Sequence, residues 1–111
     1  MLTTVIELDE FLRQAKGVMT DAERGELVDY LAANPDAGIS LGGGLRKLRF
    51  ARQGAGKSGG FRSIHFYRPA IGPVILLALF AKNEKANLTA SEQAGLLKLG
   101  DILAAHYRGR K

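Results

Sequence analysis

Residues 45–81, LRKLRFARQGAGKSGGFRSIHFYRPAIGPVILLALFA, decide the fold. The stretch opens with a period of two: in Leu45–Arg52 (LRKLRFAR), Lys47 and Arg49 fall on one side and Leu48 and Phe50 on the other, as successive side chains of a strand do. A glycine-rich turn, Gly54–Gly60, leads into a second strand, Phe61–Arg68 (FRSIHFYR), in which His65 alternates with Phe61, Ser63 and Tyr67 on the side opposite Arg62. After a turn at Pro69–Pro73 comes Val74–Ala81 (VILLALFA), apolar on both sides and therefore expected in the middle of a sheet. The connections are short, which favours an antiparallel meander.

Helical signals flank this core. Upstream, Thr3–Leu8 (TTVIEL) is β-branched and reads as a first strand, and Asp9–Lys16 reads as a short helix ending near Gly17. Thr20 and Glu23 form a T-x-x-E capping box for a second helix with an apolar stripe of Leu27, Tyr30 and Leu31, which Asn34-Pro35 stops. Gly42-Gly43-Gly44 reads as a hinge into the meander. Downstream, Thr89 and Glu92 form another box, followed by Leu96, Leu99, Leu103 and Tyr107 at helical spacing and a basic end at Arg108, Arg110 and Lys111. The expected fold is α+β, in the order β-α-α-β-β-β-α, with a mainly antiparallel four-stranded sheet. At 111 residues the chain suits a single domain, 1–111, because a second core would have too few residues to bury.

Charge is segregated along the chain. Residues 1–40 carry three cations against eight acids, a net −5. Residues 41–83 carry eight cations (Arg46, Lys47, Arg49, Arg52, Lys57, Arg62, Arg68 and Lys82) and no acid. Residues 84–111 carry five cations and three acids, which completes the overall +5. A basic field that no nearby acid cancels draws in polyanions, whereas a merely solubilising surface mixes both signs. Contact with nucleic acid or phosphate is expected.

Several other chemistries are disfavoured. Gly54-Ala55-Gly56-Lys57-Ser58-Gly59 matches G-x-G-x-x-G, and Gly56-Lys57-Ser58 looks like the end of a P-loop. A P-loop needs a glycine where Ala51 stands, and both motifs need a helix after the loop, whereas a strand follows here. With no cysteine, and with His65 and His106 far apart, no metal site is expected. The acid-free segment offers no carboxylate for a Ser-His-Asp or paired-carboxylate set. No apolar run approaches the roughly 18 residues of a membrane span, and Met1–Glu10 lacks the pattern of a secretory signal. The expected location is the cytoplasm. What remains is a strand-borne cation cluster of Lys47, Arg49, Lys57, Arg62 and Lys82. If gathered together, these side chains would stabilise a phosphorane-like transition state more than its ground state.

Three spaced segments carry a resemblance: Gly43-Gly44-Leu45-Arg46-Lys47-Leu48-Arg49, then Gly56-Lys57-Ser58-Gly59-Gly60-Phe61-Arg62, then Phe80-Ala81-Lys82-Asn83-Glu84 ending in Asn87-Leu88-Thr89. Together they resemble the RelE/HigB superfamily of type II toxins, and most of all its HigB-like branch. The resemblance implies a ribosome-dependent, metal-independent and cofactor-free mRNA endonuclease, in which the ribose 2′-OH attacks the adjacent phosphate. It implies Lys47 and Arg49 as proton acceptor or charge stabilisers, Arg62 on the scissile phosphate, and Lys57 and Lys82 at the cleft rim. Arg46, Arg52 and Arg68 are expected on RNA backbone. Because the RelE branch proper has arginine where Asn83 stands and tyrosine where Thr89 stands, the resemblance implies that His65 or Tyr67 takes part on the RNA, whereas His65 read by itself is expected to pack rather than act as a general base. The implied partners are mRNA, the ribosome and a cognate antitoxin of helix-turn-helix, HigA-like type. A ParE-like gyrase inhibitor and a non-catalytic RNA-binding protein are the alternatives, since fold alone does not decide function.

Overall fold

The computed structural model describes residues 2–50, 60–81 and 88–108. The elements run β1 (Val5–Glu7), α1 (Asp9–Ala15), α2 (Asp21–Ala33), β2 (Ile39–Gly42), β3 (Leu45–Phe50), β4 (Phe61–Phe66), β5 (Val74–Ala81) and α3 (Ala90–Arg108). The α+β class is as expected, but the sheet has five strands in the order β1-β5-β4-β3-β2, and it is mixed. β1 runs parallel to β5, while β5, β4, β3 and β2 are successively antiparallel. The expectation of four strands missed β2, because Gly42-Gly43-Gly44 is not a hinge but a hairpin turn. All three glycines hold positive φ, at 96°, 65° and 103°, a region that side chains with a Cβ rarely enter. The turn folds Ile39–Gly42 back onto β3.

Each sheet face has its own cover. One face packs Leu48, Phe61, Leu76 and Leu79 against Phe11 and Ala15 of α1 and Leu27 and Leu31 of α2. The other packs Leu45, Ile64, Phe66, Leu77 and Phe80 against Leu96, Leu97, Leu103 and Ala104 of α3. β5 serves both, and a bulge lets it do so. The β4–β5 register shifts between Ile64 and His65, so Leu77 and Ala78 both join the α3-side core and the alternation resumes with Leu79 on the α1 side. Two consecutive side chains on one face are what an inserted residue produces.

Both capping boxes form. Thr20 Oγ1 accepts from Glu23 N–H at 3.0 Å while Glu23 Oε1 accepts from Thr20 N–H at 2.8 Å, and the Thr89–Glu92 pair repeats the arrangement at 3.1 and 2.8 Å. The apolar stripes are less faithful to expectation. Tyr30 and Leu99 lie exposed, and the buried stripe of α3 runs instead through Leu96, Leu97, Gly100, Leu103 and Ala104. Gly100 fixes that rotation: a Cβ there would lie 2.2 Å from the Phe66 ring, so the helix backbone rests directly on the aromatic side chain.

Candidate nucleic-acid interface

Cross-strand register places the cations. Residues directly opposite in an antiparallel pair share a face. Arg49 is opposite Arg62 and Lys47 is opposite Ile64, so all three sit on the α3-facing side. Arg62 continues across to Phe80 of β5. Leu45, Phe66 and Gly100 hold α3 down at the other end of this face. The pair Arg49–Arg62 lies where β3 ends and β4 begins.

The electrostatics of that pair are costly to the fold. Like charges directly opposite on a sheet repel. Arg62 is only 6% exposed, and its Nη1 has no hydrogen-bond partner. Among the described residues, no carboxylate forms an ion pair with Arg49 or Arg62. A buried guanidinium left unpaired costs on the order of several kcal/mol, so an anion arriving from outside finds a site that the protein itself leaves unsatisfied. Lys47 is half-buried beside it on the same strand face.

Three residues expected on RNA have their polar atoms committed elsewhere. Arg46 is opposite His65 on the α1/α2 side of the sheet, where its Nε donates to Ala37 O at 3.1 Å and its Nη2 to Gly38 O at 3.0 Å. His65 is fully buried, and its Nε2 donates to Pro35 O at 3.0 Å. Burial pushes the imidazole pKa down to about 4 against the pull of the Pro35 carbonyl, and the nearby Arg46 charge lowers it further. It is therefore neutral at pH 7 and lies on the face away from Arg62. Arg68 stands past the far end of β4, where Nε donates to Gly43 O at 2.9 Å, Nη2 pairs with Asp101 of α3, and the guanidinium stacks 4.7 Å from the centre of the Phe66 ring. Tyr67 is half-buried against the α1/α2-side core, with its N–H bonded to Gly44 O. These contacts were not legible in the sequence, because the carbonyls that Arg46, His65 and Arg68 meet come from loops whose approach the strand alternation does not specify.

Arg52, Lys57 and Lys82 lie outside the described residues. Among the described residues, no group of three or more His, Cys, Asp or Glu side chains could hold a metal ion, and no helix is long and apolar enough to cross a membrane. Sequence reading also missed Gln14, whose Oε1 accepts from Leu79 N–H at 2.9 Å across 65 positions. No local signal marks such a contact.

Arg62, Arg49 and Lys47 thus share the α3-facing side of the sheet, while Arg46, His65 and Arg68 tie neighbouring loops and α3 to the strands. A protein-family model described as "RelE toxin of RelE / RelB toxin-antitoxin system" matches residues 5–109, which include every described strand and the body of all three helices. With that match running nearly end to end, the chain belongs to the RelE toxin family.

Proposed function

We propose that this toxin is an mRNA endonuclease acting on ribosome-bound transcripts, of the HigB-like branch, working in the cytoplasm as one domain and without a metal or cofactor. The observation that carries the reading is Arg62, buried at 6% exposure with Nη1 unpartnered and faced by Arg49. A buried cation with no counter-ion among the described residues is preorganised for a charge that develops on a substrate.

In the proposed reaction the ribose 2′-oxygen forms a bond to phosphorus as the P–O5′ bond breaks. The products are a 2′,3′-cyclic phosphate and a 5′-OH. The 2′ proton leaves to a base, and the departing 5′-oxygen takes up a proton. Arg62 donates to the non-bridging oxygens, whose charge grows in the pentacovalent state, and so favours the transition state over the ground state. Arg49 and Lys47 add charge stabilisation, and the sequence resemblance makes Lys47 the candidate proton acceptor. Lys57, Lys82 and Arg52 complete the set on the strength of the sequence resemblance. The cognate antitoxin is proposed to be HigA-like, with a helix-turn-helix part.

The test is induction of the wild-type chain and of Arg62→Ala, followed by mapping of transcript ends. New 5′-OH ends within coding regions, absent with Arg62→Ala, are expected. Growth arrest with intact transcripts would reject the nuclease. If plasmid supercoiling collapses as well, a gyrase target replaces it.

A further inference from the structure

We propose that Gly38 is a positioning residue for Lys47: by lacking a Cβ, it lets the α2–β2 connection close against the Lys47 backbone without displacing that lysine from the cation face. The proposal rests on the nuclease reading, with Lys47 among the groups at the phosphate, and adds a residue which that reading does not use.

The connection runs from Asn34 to Gly38, between the end of α2 and the start of β2. It is tied down along most of its length. The Asn34 N–H donates to Tyr30 O at 2.8 Å, and the Asn34 carbonyl accepts from Ala37 N–H at 3.0 Å. The Pro35 carbonyl accepts from His65 on β4, and the Ala37 and Gly38 carbonyls accept from Arg46 on β3. A loop tied to two strands in this way cannot draw back from the sheet without giving up those bonds.

Gly38 is where the loop meets the strand. The next residue, Ile39, pairs with Lys47, which pairs on its other side with Ile64. Gly38 holds a φ of +88°, and a Cβ there would lie 2.3 Å from Lys47 O, 2.9 Å from its carbonyl carbon and 3.2 Å from Leu48 Cα. All three are backbone atoms, so no rotamer change relieves the clash. Gly38 and Lys47 would have to part. With the loop before Gly38 anchored and Ile39 after it in the ladder, the displacement falls on the Lys47 backbone and carries its side chain with it. Losing the Arg46 contacts is different, because it frees the loop but puts no bulk against Lys47. Moving a group at the reacting atoms by about 1 Å costs up to about 10²-fold in rate.

Two other glycines separate backbone strain from displacement. Gly17 and Gly72 also hold positive φ, at +84° and +113°, but a Cβ on either would meet nothing within 4 Å. Alanine at those positions therefore brings the strain of positive φ without the push on a strand.

The test is cleavage of a defined mRNA on ribosomes by purified toxin, resolved into kcat and KM, with the folded fraction fixed by thermal melts. Gly38→Ala is expected to lower kcat by about tenfold or more with KM within about twofold of wild type. Gly17→Ala and Gly72→Ala are expected to keep the wild-type kcat. In a Lys47→Gln background, Gly38→Ala should cause no further loss, since the side chain it displaces is gone. Gly38→Asn carries the same Cβ on a residue that tolerates positive φ better, and it takes the place of Gly38→Ala if that variant does not fold. An unchanged kcat, an equal loss at Gly17 or Gly72, or an undiminished loss in the Lys47→Gln background would each overturn the proposal. Wild-type toxin that cleaves nothing would reject the nuclease reading and this inference with it, whereas active wild type with equally active Gly38 variants would overturn the positioning role alone.

Discussion

The two faces of the sheet treat their cations in opposite ways. On the face toward α1 and α2, Arg46 and the neutral His65 spend donors on the carbonyls of Pro35, Ala37 and Gly38, and so tie the α2–β2 connection to the sheet. On the face toward α3, Arg49 and Arg62 confront each other across the strands, and among the described residues no acid pairs with either. Basic side chains three positions apart on the same strands, Arg46 against Arg49 and His65 against Arg62, meet backbone carbonyls on one side and face each other on the other. A basic composition therefore does not identify a binding surface.

The sharpest way to break this contrast is to replace Arg62 with an apolar isostere. Arg62→Met should reduce RNA cleavage by about 10²–10³-fold, the usual effect of losing one preorganised charge donor. Stability should hold or rise, since the variant no longer takes a charge out of water. Cleavage kinetics and thermal melts on one preparation check both, and a large loss of stability would mean that Arg62 is a bracing residue after all.

The bracing face is tested by pH. The His65 pKa near 4 in the fold lies below the ordinary 6.5, so between those values the unfolded chain takes up the proton first. Stability should therefore fall as pH drops from 6.5 towards 4, by up to about 3 kcal/mol. Nothing from this group is lost above 6.5. His65→Gln should flatten that part of the profile in denaturant titrations, and an unchanged slope would show that the imidazole is not held neutral by burial.

Arg46→Ala should cost about 1–3 kcal/mol of stability, because it abandons the Ala37 and Gly38 carbonyls. Cleavage per folded molecule should stay near that of wild type. A cleavage loss matching that of Arg62→Met would dissolve the distinction between the faces. The smallest effect belongs to Arg49→Ala. As an exposed phosphate contact, it should weaken RNA binding severalfold and lower the salt dependence by about one counterion, which binding titrations at several salt concentrations would show.

Much of this was legible in the chain. The period of two in Leu45–Phe50 and Phe61–Phe66 put Lys47 and Arg49 opposite Leu48 and Phe50, and His65 opposite Arg62, and the register agrees. The capping pairs Thr20–Glu23 and Thr89–Glu92 needed only four consecutive residues each. The β2 strand was within reach, since Ile39 and Leu41 alternate with polar or small residues before a glycine turn, but the glycines were read as a hinge. The burial of Arg62 and the capture of Arg46 and Arg68 were not legible, because they depend on which loop arrives against which strand.

Local sequence determined side-chain alternation, helix starts and the segregation of charge, because each follows from backbone geometry within a few residues. Tertiary structure alone decided that β1 would pair in parallel with β5, that a bulge at Leu77 would swing Phe80 beside Arg62, and that Gly100 would seat α3 on Phe66. These features join residues tens of positions apart, and their energies come from packing and desolvation that exist only once the chain has closed on itself.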